Sequence, residues 1–357
     1  MSSSLMIDEI RQQPEILERT LKQDLAGVEE LRKRLAERRP RYILLAARGT
    51  SDNAASFARY LLEISTGIPV SLAAPSVFTL YAVERFDFQD ALVVGISQSG
   101  ESTDINVVLH RARAQGAVTV GITNEADSAL ARLAEHVFLV RAGKEKSVAA
   151  TKTYTGQLLI IYLLAYALGA PVKVLDLRRL PDYAAQALTL EPRIAEMAQR
   201  YRFMENAVVV GRGLNYANAF EFALKMMETC YVVAERFSSA DFLHGPIAIV
   251  GAAFPVFMFA PPGVTWGSMK ELLAKLGTAG AETFLISDKS NAEAGQVKGV
   301  RGVTIPVSLA HKGKLPVDVY TPIPYIIPAQ IFAASLAREK GLNPDQPRGL
   351  QKVTRTL

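Results

Sequence analysis

Residues 42–49 read Tyr-Ile-Leu-Leu-Ala-Ala-Arg-Gly, and residues 207–213 read Ala-Val-Val-Val-Gly-Arg-Gly. Each is an apolar run stopped by glycine, and the two stops, Gly49 and Gly213, stand 164 positions apart. Two further pairs keep that register. Residues 91–97, closed by Gly100, match 255–260, closed by Gly263, and 119–124 match 283–288. Three runs, with their turn glycines offset by 164 and 163 residues, make an internal repeat. Short runs without polar alternation are strands buried on both faces, so each copy is expected to be a parallel sheet. Helical segments at 54–65, 102–115 and 128–134 separate the runs of the first copy, and 217–233 and 269–279 those of the second. The expected fold class is therefore α/β, with two similar domains in one chain.

The boundaries follow. An N-terminal helical segment (1–36, with a helix over 6–36) precedes a first domain at 37–173. A helical linker at 174–200, within a stretch of helical period over 175–201, leads to a second domain at 201–337 and a tail at 338–357. With 357 residues, 49% hydrophobic and 21% charged, the chain has material for two cores and is not disordered. Its 40 basic against 35 acidic residues give +5 and a pI near 9.2. The basic residues of the first segment are interleaved with acids, and no zinc or helix-turn-helix signature occurs, so nucleic acid is not an expected partner. A mildly basic balance suits an anionic small substrate. The single cysteine, Cys230, excludes a disulfide framework and reads as a core residue. The first residues show no signal peptide, and the longest apolar run, 158–170, is too short to cross a membrane. A cytoplasmic location is expected, with no membrane partner.

The turns of the two copies differ. In the first copy they carry Gly49-Thr50-Ser51-Asp52-Asn53 and Ser97-Gln98-Ser99-Gly100-Glu101-Ser102-Thr103. Glycine permits close backbone approach, hydroxyls donate hydrogen bonds, and the following helix favours an anion, so these turns suit a phosphate. The plain alternative is that the serines only cap helices. In the second copy Gly213-Leu214-Asn215 and Pro261-Pro262-Gly263 stand in their place. That predicts one phosphate site, built by the first copy. The second copy offers Glu221, Lys225 and Glu228, at i, i+4 and i+7 on one helix face, with Phe222, Leu224, Met226 and Tyr231 opposite. Alone, such a triplet reads as a solvated ladder. Shortly after it comes Ser238-Ser239-Ala240-Asp241-Phe242-Leu243-His244-Gly245-Pro246, where His244 is suited to proton transfer near neutral pH. The polar segment 144–153 suits a helix N-terminus lining a cleft.

Taken in order, these motifs resemble the double sugar-isomerase (SIS) family, which includes the isomerase part of glucosamine-6-phosphate synthase and stand-alone phosphosugar deaminases and isomerases. The resemblance runs nearly end to end, through Gly49-Thr50-Ser51, Ser97-Gln98-Ser99-Gly100-Glu101, Val148-Ala149-Ala150-Thr151-Lys152, Gly211-Arg212-Gly213, 221–228, His244-Gly245-Pro246 and Asp345-Gln346-Pro347-Arg348 before Lys352. It implies two tandem SIS domains, each a flavodoxin-like or Rossmann-like three-layer sandwich. It also implies that Thr50, Ser51, Ser97, Gln98, Ser99 and Ser102 hold a sugar phosphate and that Val148 and Ala150 lie against the sugar. Glu228 would move a proton between C1 and C2, with Glu221 and Lys225 in support. His244 would assist ring opening from the partner subunit of a homodimer, and Lys352, on a tail closing the site, would engage the sugar carbonyl. Neither metal nor organic cofactor is implied.

Two departures shape the expectation. The synthase has an N-terminal glutaminase domain with a nucleophilic cysteine, whereas this sequence starts at the linker and has only Cys230. Position 150 is alanine where the synthase has serine, as in the stand-alone branch. The expected activity is conversion of glucosamine-6-phosphate to fructose-6-phosphate and ammonia. Its alternatives are an aldose–ketose isomerase, a deaminase for another amino-sugar or glycated 6-phosphate, a synthase-like isomerase served by a separate glutaminase chain, and a non-catalytic phosphosugar sensor.

Overall fold

The computed structural model describes residues 4–352; the first three residues of the expected N-terminal segment and the last five of the tail lie outside it. Strands β1 (Tyr42–Ala47), β2 (Val70–Leu72), β3 (Ala91–Ile96), β4 (Val118–Thr123) and β5 (His136–Leu139) form one sheet in the order β2-β1-β3-β4-β5. Strands β6 (Asn206–Gly211), β7 (Val233–Ser238), β8 (Pro255–Phe259), β9 (Glu282–Asp288) and β10 (Arg301–Ile305) form a second, which reads β7-β6-β8-β9-β10 in the same sense. Every pairing in both sheets is parallel. The two orders are identical strand for strand, so the 164-residue repeat is a repeat of topology. Helices flank both sheets, and the fold is two tandem α/β domains.

The chain divides into two compact units. The first holds Glu15–Glu145, Lys152–Arg179 and the chain from Gln351; the second holds the chain through Pro14, Lys146–Thr151 and Leu180–Leu350. In the first unit β1 and β3 are almost wholly buried, as their apolar sequences require. A helix at Lys152–Ala167 is buried along nearly its whole length and packs Tyr162 edge-on against Phe57, ring centroids 5.2 Å apart. In the second unit the matching helix, Pro322–Glu339, places Phe332 among Tyr201, Phe222, Phe257 and Phe284.

Several elements depart from the sequence reading. The N-terminal helix is two helices, Leu5–Arg11 and Gln13–Glu37, because Pro14 has no N–H to continue the first. The helix expected over 217–233 is Tyr216–Cys230; Tyr231 turns left-handed at φ 55° and Val233 opens β7. The stretch 175–201 holds three short α-helices and a 3-10 turn. Strands β2, β5, β7 and β10 were not expected. All four are sheet edges, where one open side tolerates His136, Glu235, Arg236 and Arg301 and breaks the apolar pattern. The helix Pro322–Glu339 was masked by Pro322, Pro324 and Pro328.

Candidate functional site

In the first unit the strand order reverses direction between β1 and β3, which puts their carboxyl ends at the switch point where open α/β sheets bind ligands. Both hydroxyl-rich turns lie there. Gly49, at φ 57°, leads into the helix Thr50–Thr66 with no side-chain cap. Ser51 is buried and accepts a hydrogen bond from Gln157 Nε2 at 2.9 Å, which fixes the turn to the buried helix Lys152–Ala167. After β3, Ser97 Oγ accepts from the Gly100 amide at 3.1 Å and pairs with Ser102 Oγ at 3.2 Å. Ser102 stands at the N-cap of the helix Thr103–Ala114 but makes no capping bond. The capping explanation holds instead for Ser128 and Ser238, whose hydroxyls accept from Ala131 and Asp241 amides. Gly100 is obligatory: it sits at φ 65°, and a Cβ there would lie 2.1 Å from Ser128 Oγ.

Charge enters this turn pair from residues the motifs did not flag. Arg48 Nε donates to the buried Asp104 carboxylate at 2.6 Å and so ties the β1 turn to the first turn of the helix after β3. Burial raises the Asp52 carboxyl above its usual value, and Arg48 pulls it partly back. Beside Gln98 and Ser99 lies a cavity of about 440 Å³, walled also by Glu101, Lys144, Glu145 and Lys352. Lys352, the tail lysine singled out from sequence, lines this cavity; Thr50, Ser51, Ser97 and Ser102 do not. Glu145 was missed. Its carboxylate is fully buried and accepts from Gln98 Nε2 at 3.0 Å, Thr153 Oγ1 at 2.7 Å, the Lys152 amide at 3.0 Å and Lys352 Nζ at 3.3 Å.

The second unit carries the charged helix, and the solvated-ladder alternative is overturned there. Glu221 and Lys225 side chains are 0% and 1% exposed, and Glu228 is 23% exposed. Lys225 Nζ lies 3.4 Å from Glu221 and 2.6 Å from Glu228. A lysine is stable at such depth only when paired, so Lys225 presents the Glu228 carboxylate at the edge of a dry cluster. Of the residues placed opposite, Phe222 and Met226 are core, Leu224 is half-buried, and Tyr231 lies beyond the helix end. Tyr231 receives the tail: its Oη accepts from the Arg348 amide at 2.8 Å, and the Arg348 guanidinium stacks 4.2 Å above its ring. The Asp345 carboxylate accepts from the Leu5 and Met6 amides, and its carbonyl accepts from Val148 at 3.1 Å. Ala150 is buried two residues on. His244 is exposed and closes the short helix Ser239–Leu243.

The larger cavity of the second unit, about 530 Å³, lies at the amino ends of β6 and β8, away from the turns, and none of the sequence-flagged residues lines it. Cys230 is buried, pushed up to about 11 by desolvation, and donates to the Ala333 carbonyl at 3.2 Å. That is a core thiol. Among the described residues no cluster of histidine, cysteine and acids could hold a metal, and no helix is long and apolar enough to cross a membrane.

The SIS-domain model matches residues 38–167 and 203–305, one copy in each repeat. The chain belongs to the SIS-domain family. Its relatives include a glutamine–fructose-6-phosphate aminotransferase (isomerizing) of Pyrococcus horikoshii, 33% identical over 97% of this chain and 57% of that protein. The chain therefore spans little more than half the length of that curated relative. The C-terminal domain of glucosamine-fructose-6-phosphate aminotransferase from Francisella tularensis superposes with a TM-score of 0.85 at 27% identity, covering 97% of this chain and 99% of that domain. Glucosamine-6-phosphate deaminase from Thermotoga maritima shares the fold, with a TM-score of 0.74 at 21% identity and coverage of 99% and 100%. This SIS protein thus aligns along its length with the C-terminal domain of such an aminotransferase.

Proposed function

We propose that this SIS protein converts glucosamine-6-phosphate and water to fructose-6-phosphate and ammonia. The observation that carries the reading is Glu228, a half-exposed carboxylate held 2.6 Å from the buried Lys225 ammonium. A carboxylate so fixed can take a proton from one carbon and return it to its neighbour. The hydroxyls of Thr50, Ser51, Ser97, Ser99 and Ser102, with Gln98, bind the phosphate. His244, on an exposed helix end, takes the proton of the anomeric hydroxyl and delivers it to the ring oxygen as the sugar opens. Glu228 then takes the C2 proton and delivers it to C1, which turns the C2 amine into an imine. Lys352 attacks that imine, ammonia leaves, and water releases the ketose from the lysine. Atoms balance, with one water consumed and one ammonia produced. The homodimer that supplies His244 across subunits belongs to this proposal, as does the location in the cytoplasm.

Within these 357 residues the one cysteine is a buried thiol hydrogen-bonded to a carbonyl and offers no nucleophile for glutamine. Nitrogen handled by these residues is then ammonia or the sugar's own amine. The deciding assay follows ammonia and fructose-6-phosphate release from glucosamine-6-phosphate, with galactosamine-6-phosphate alongside and glutamine omitted. Equal release of both products from one epimer is expected. Saturable fructose-6-phosphate binding with no release from either sugar would replace this reading with a sensor or a synthase half.

A further inference from the structure

We propose that Glu145 is a positioning residue that docks Lys352 beside the phosphate turn, and this rests on the reading that Lys352 attacks the C2 imine of the sugar. Glu145 is fixed from two directions. Its Oε1 accepts from the Lys152 and Thr153 amides at 3.0 and 3.4 Å, the first N–H groups of the sixteen-residue helix Lys152–Ala167. A carboxylate at a helix start is favoured by both the unpaired amides and the dipole. Its Oε2 accepts from Thr153 Oγ1 at 2.7 Å, Gln98 Nε2 at 3.0 Å and Lys352 Nζ at 3.3 Å. One buried oxygen thus joins the tail lysine to Gln98 of the phosphate turn.

The two partners differ in freedom. The Glu145 side chain is 0% exposed, whereas Lys352 is 26% exposed. A lysine loses rotamer freedom when it is fixed. A rigid anchor absorbs that cost before substrate arrives, and the amine is then already oriented when a carbonyl compound enters the 440 Å³ cavity that both residues line.

The test labels surface amines of the full chain with an N-hydroxysuccinimide ester and follows each lysine by mass spectrometry. In the native protein Lys352 should react about fivefold more slowly than the exposed Lys312, the protection expected of a sound ion pair. Glu145→Gln, which keeps an oxygen for the helix amides, should abolish that protection, and Glu145→Asp should restore part of it. Equal rates for Lys352 and Lys312 in the native protein would overturn the dock without any variant having to fold. In turnover, Glu145→Gln should lower kcat about tenfold with KM changed by less than about threefold. Native kcat in that variant would show that Lys352 needs no positioning and overturn the proposal. Protection of Lys352 in a protein that turns over no amino sugar phosphate would leave the dock standing and defeat the functional reading instead.

Discussion

The charged helix of the second unit and its counterpart in the first follow matching strands, β6 and β1, yet they bury opposite chemistry. The residues 164 positions before Glu221, Lys225 and Glu228 are Phe57, Leu61 and Ile64. Phe57 and Leu61 are fully buried, as Glu221 and Lys225 are. Where one copy packs a phenyl ring and an isobutyl group, the other packs a carboxylate and an ammonium. Apolar packing at such positions is usually at least as stable as an ion pair. The second unit therefore gives up stability at those sites, and Glu228 at the cluster's edge is what the arrangement supports. The turns show the reverse distribution: hydroxyls cluster at the strand ends of the first unit, and Leu214 and Pro261-Pro262 stand at those of the second.

The largest effect should come from the exposed end of the cluster. Glu228→Gln keeps the shape and removes the base, so turnover should fall by about 10³-fold while fructose-6-phosphate still binds within about threefold. Rapid-quench assay and calorimetry measure the two quantities. Retained turnover would show that the contrast between the helices has no catalytic meaning.

Swapping the buried pair comes next. Lys225→Ala leaves Glu221 buried without its cation and should cost about 3–5 kcal/mol in denaturant unfolding. The double change Glu221→Phe with Lys225→Leu writes the first unit's residues into the second. It should recover most of that loss while activity stays absent. A double variant no more stable than Lys225→Ala would mean that the surroundings, and not the pair alone, demand charge.

The glycines of the two turns sharpen the comparison at the other end of the molecule's chemistry. Gly100→Ala must adopt φ 65° and push against Ser128, whereas Gly263→Ala at φ 99° meets Val317 Cγ1 at 2.3 Å. Each should cost about 1–3 kcal/mol of stability. Only Gly100→Ala should also weaken phosphate-ester binding, by about tenfold, because only the first unit surrounds its glycine with Ser97, Ser99 and Ser102. Equal loss of affinity in both variants would place phosphate recognition in both copies.

Legibility in the sequence followed physical cause. The central strands could be read because burial on both faces leaves them mostly apolar, and β1, β3, β6 and β8 run into turns that carry a glycine. Edge strands such as β7, Val-Ala-Glu-Arg-Phe-Ser, could not be read, because an open side admits charge. Residue identity and helical spacing brought Glu221, Lys225 and Glu228 onto one face, but their burial could not be read, and their helix packs against Pro322–Glu339, whose prolines concealed it. Arg48 and Glu145 carried no local signal. Arg48 matters through Asp104, 56 residues away, and Glu145 through Gln98 and Lys352, which are 47 and 207 residues away. A lone polar residue becomes readable only once the fold supplies its partners.

Two buried acids give the last and smallest contrast. Glu145, in the first unit, accepts from backbone amides, Thr153, Gln98 and Lys352. Asp318, in the second, is 2% exposed and forms no ion pair among the described residues. Burial pushes its carboxyl from 3.8 up to about 6, opposed only by its own backbone N–H. The folded state therefore holds a proton that the unfolded chain releases between about pH 4 and 6, so stability falls as pH rises through that window. Above it, the ionised group is a standing cost. Asp318→Asn should stabilise the protein by about 1–3 kcal/mol at pH 7.5 and flatten the pH dependence of urea unfolding between pH 4 and 6. An unchanged slope would mean that Asp318 finds in solution a partner equivalent to those of Glu145, and the two acids would then be alike.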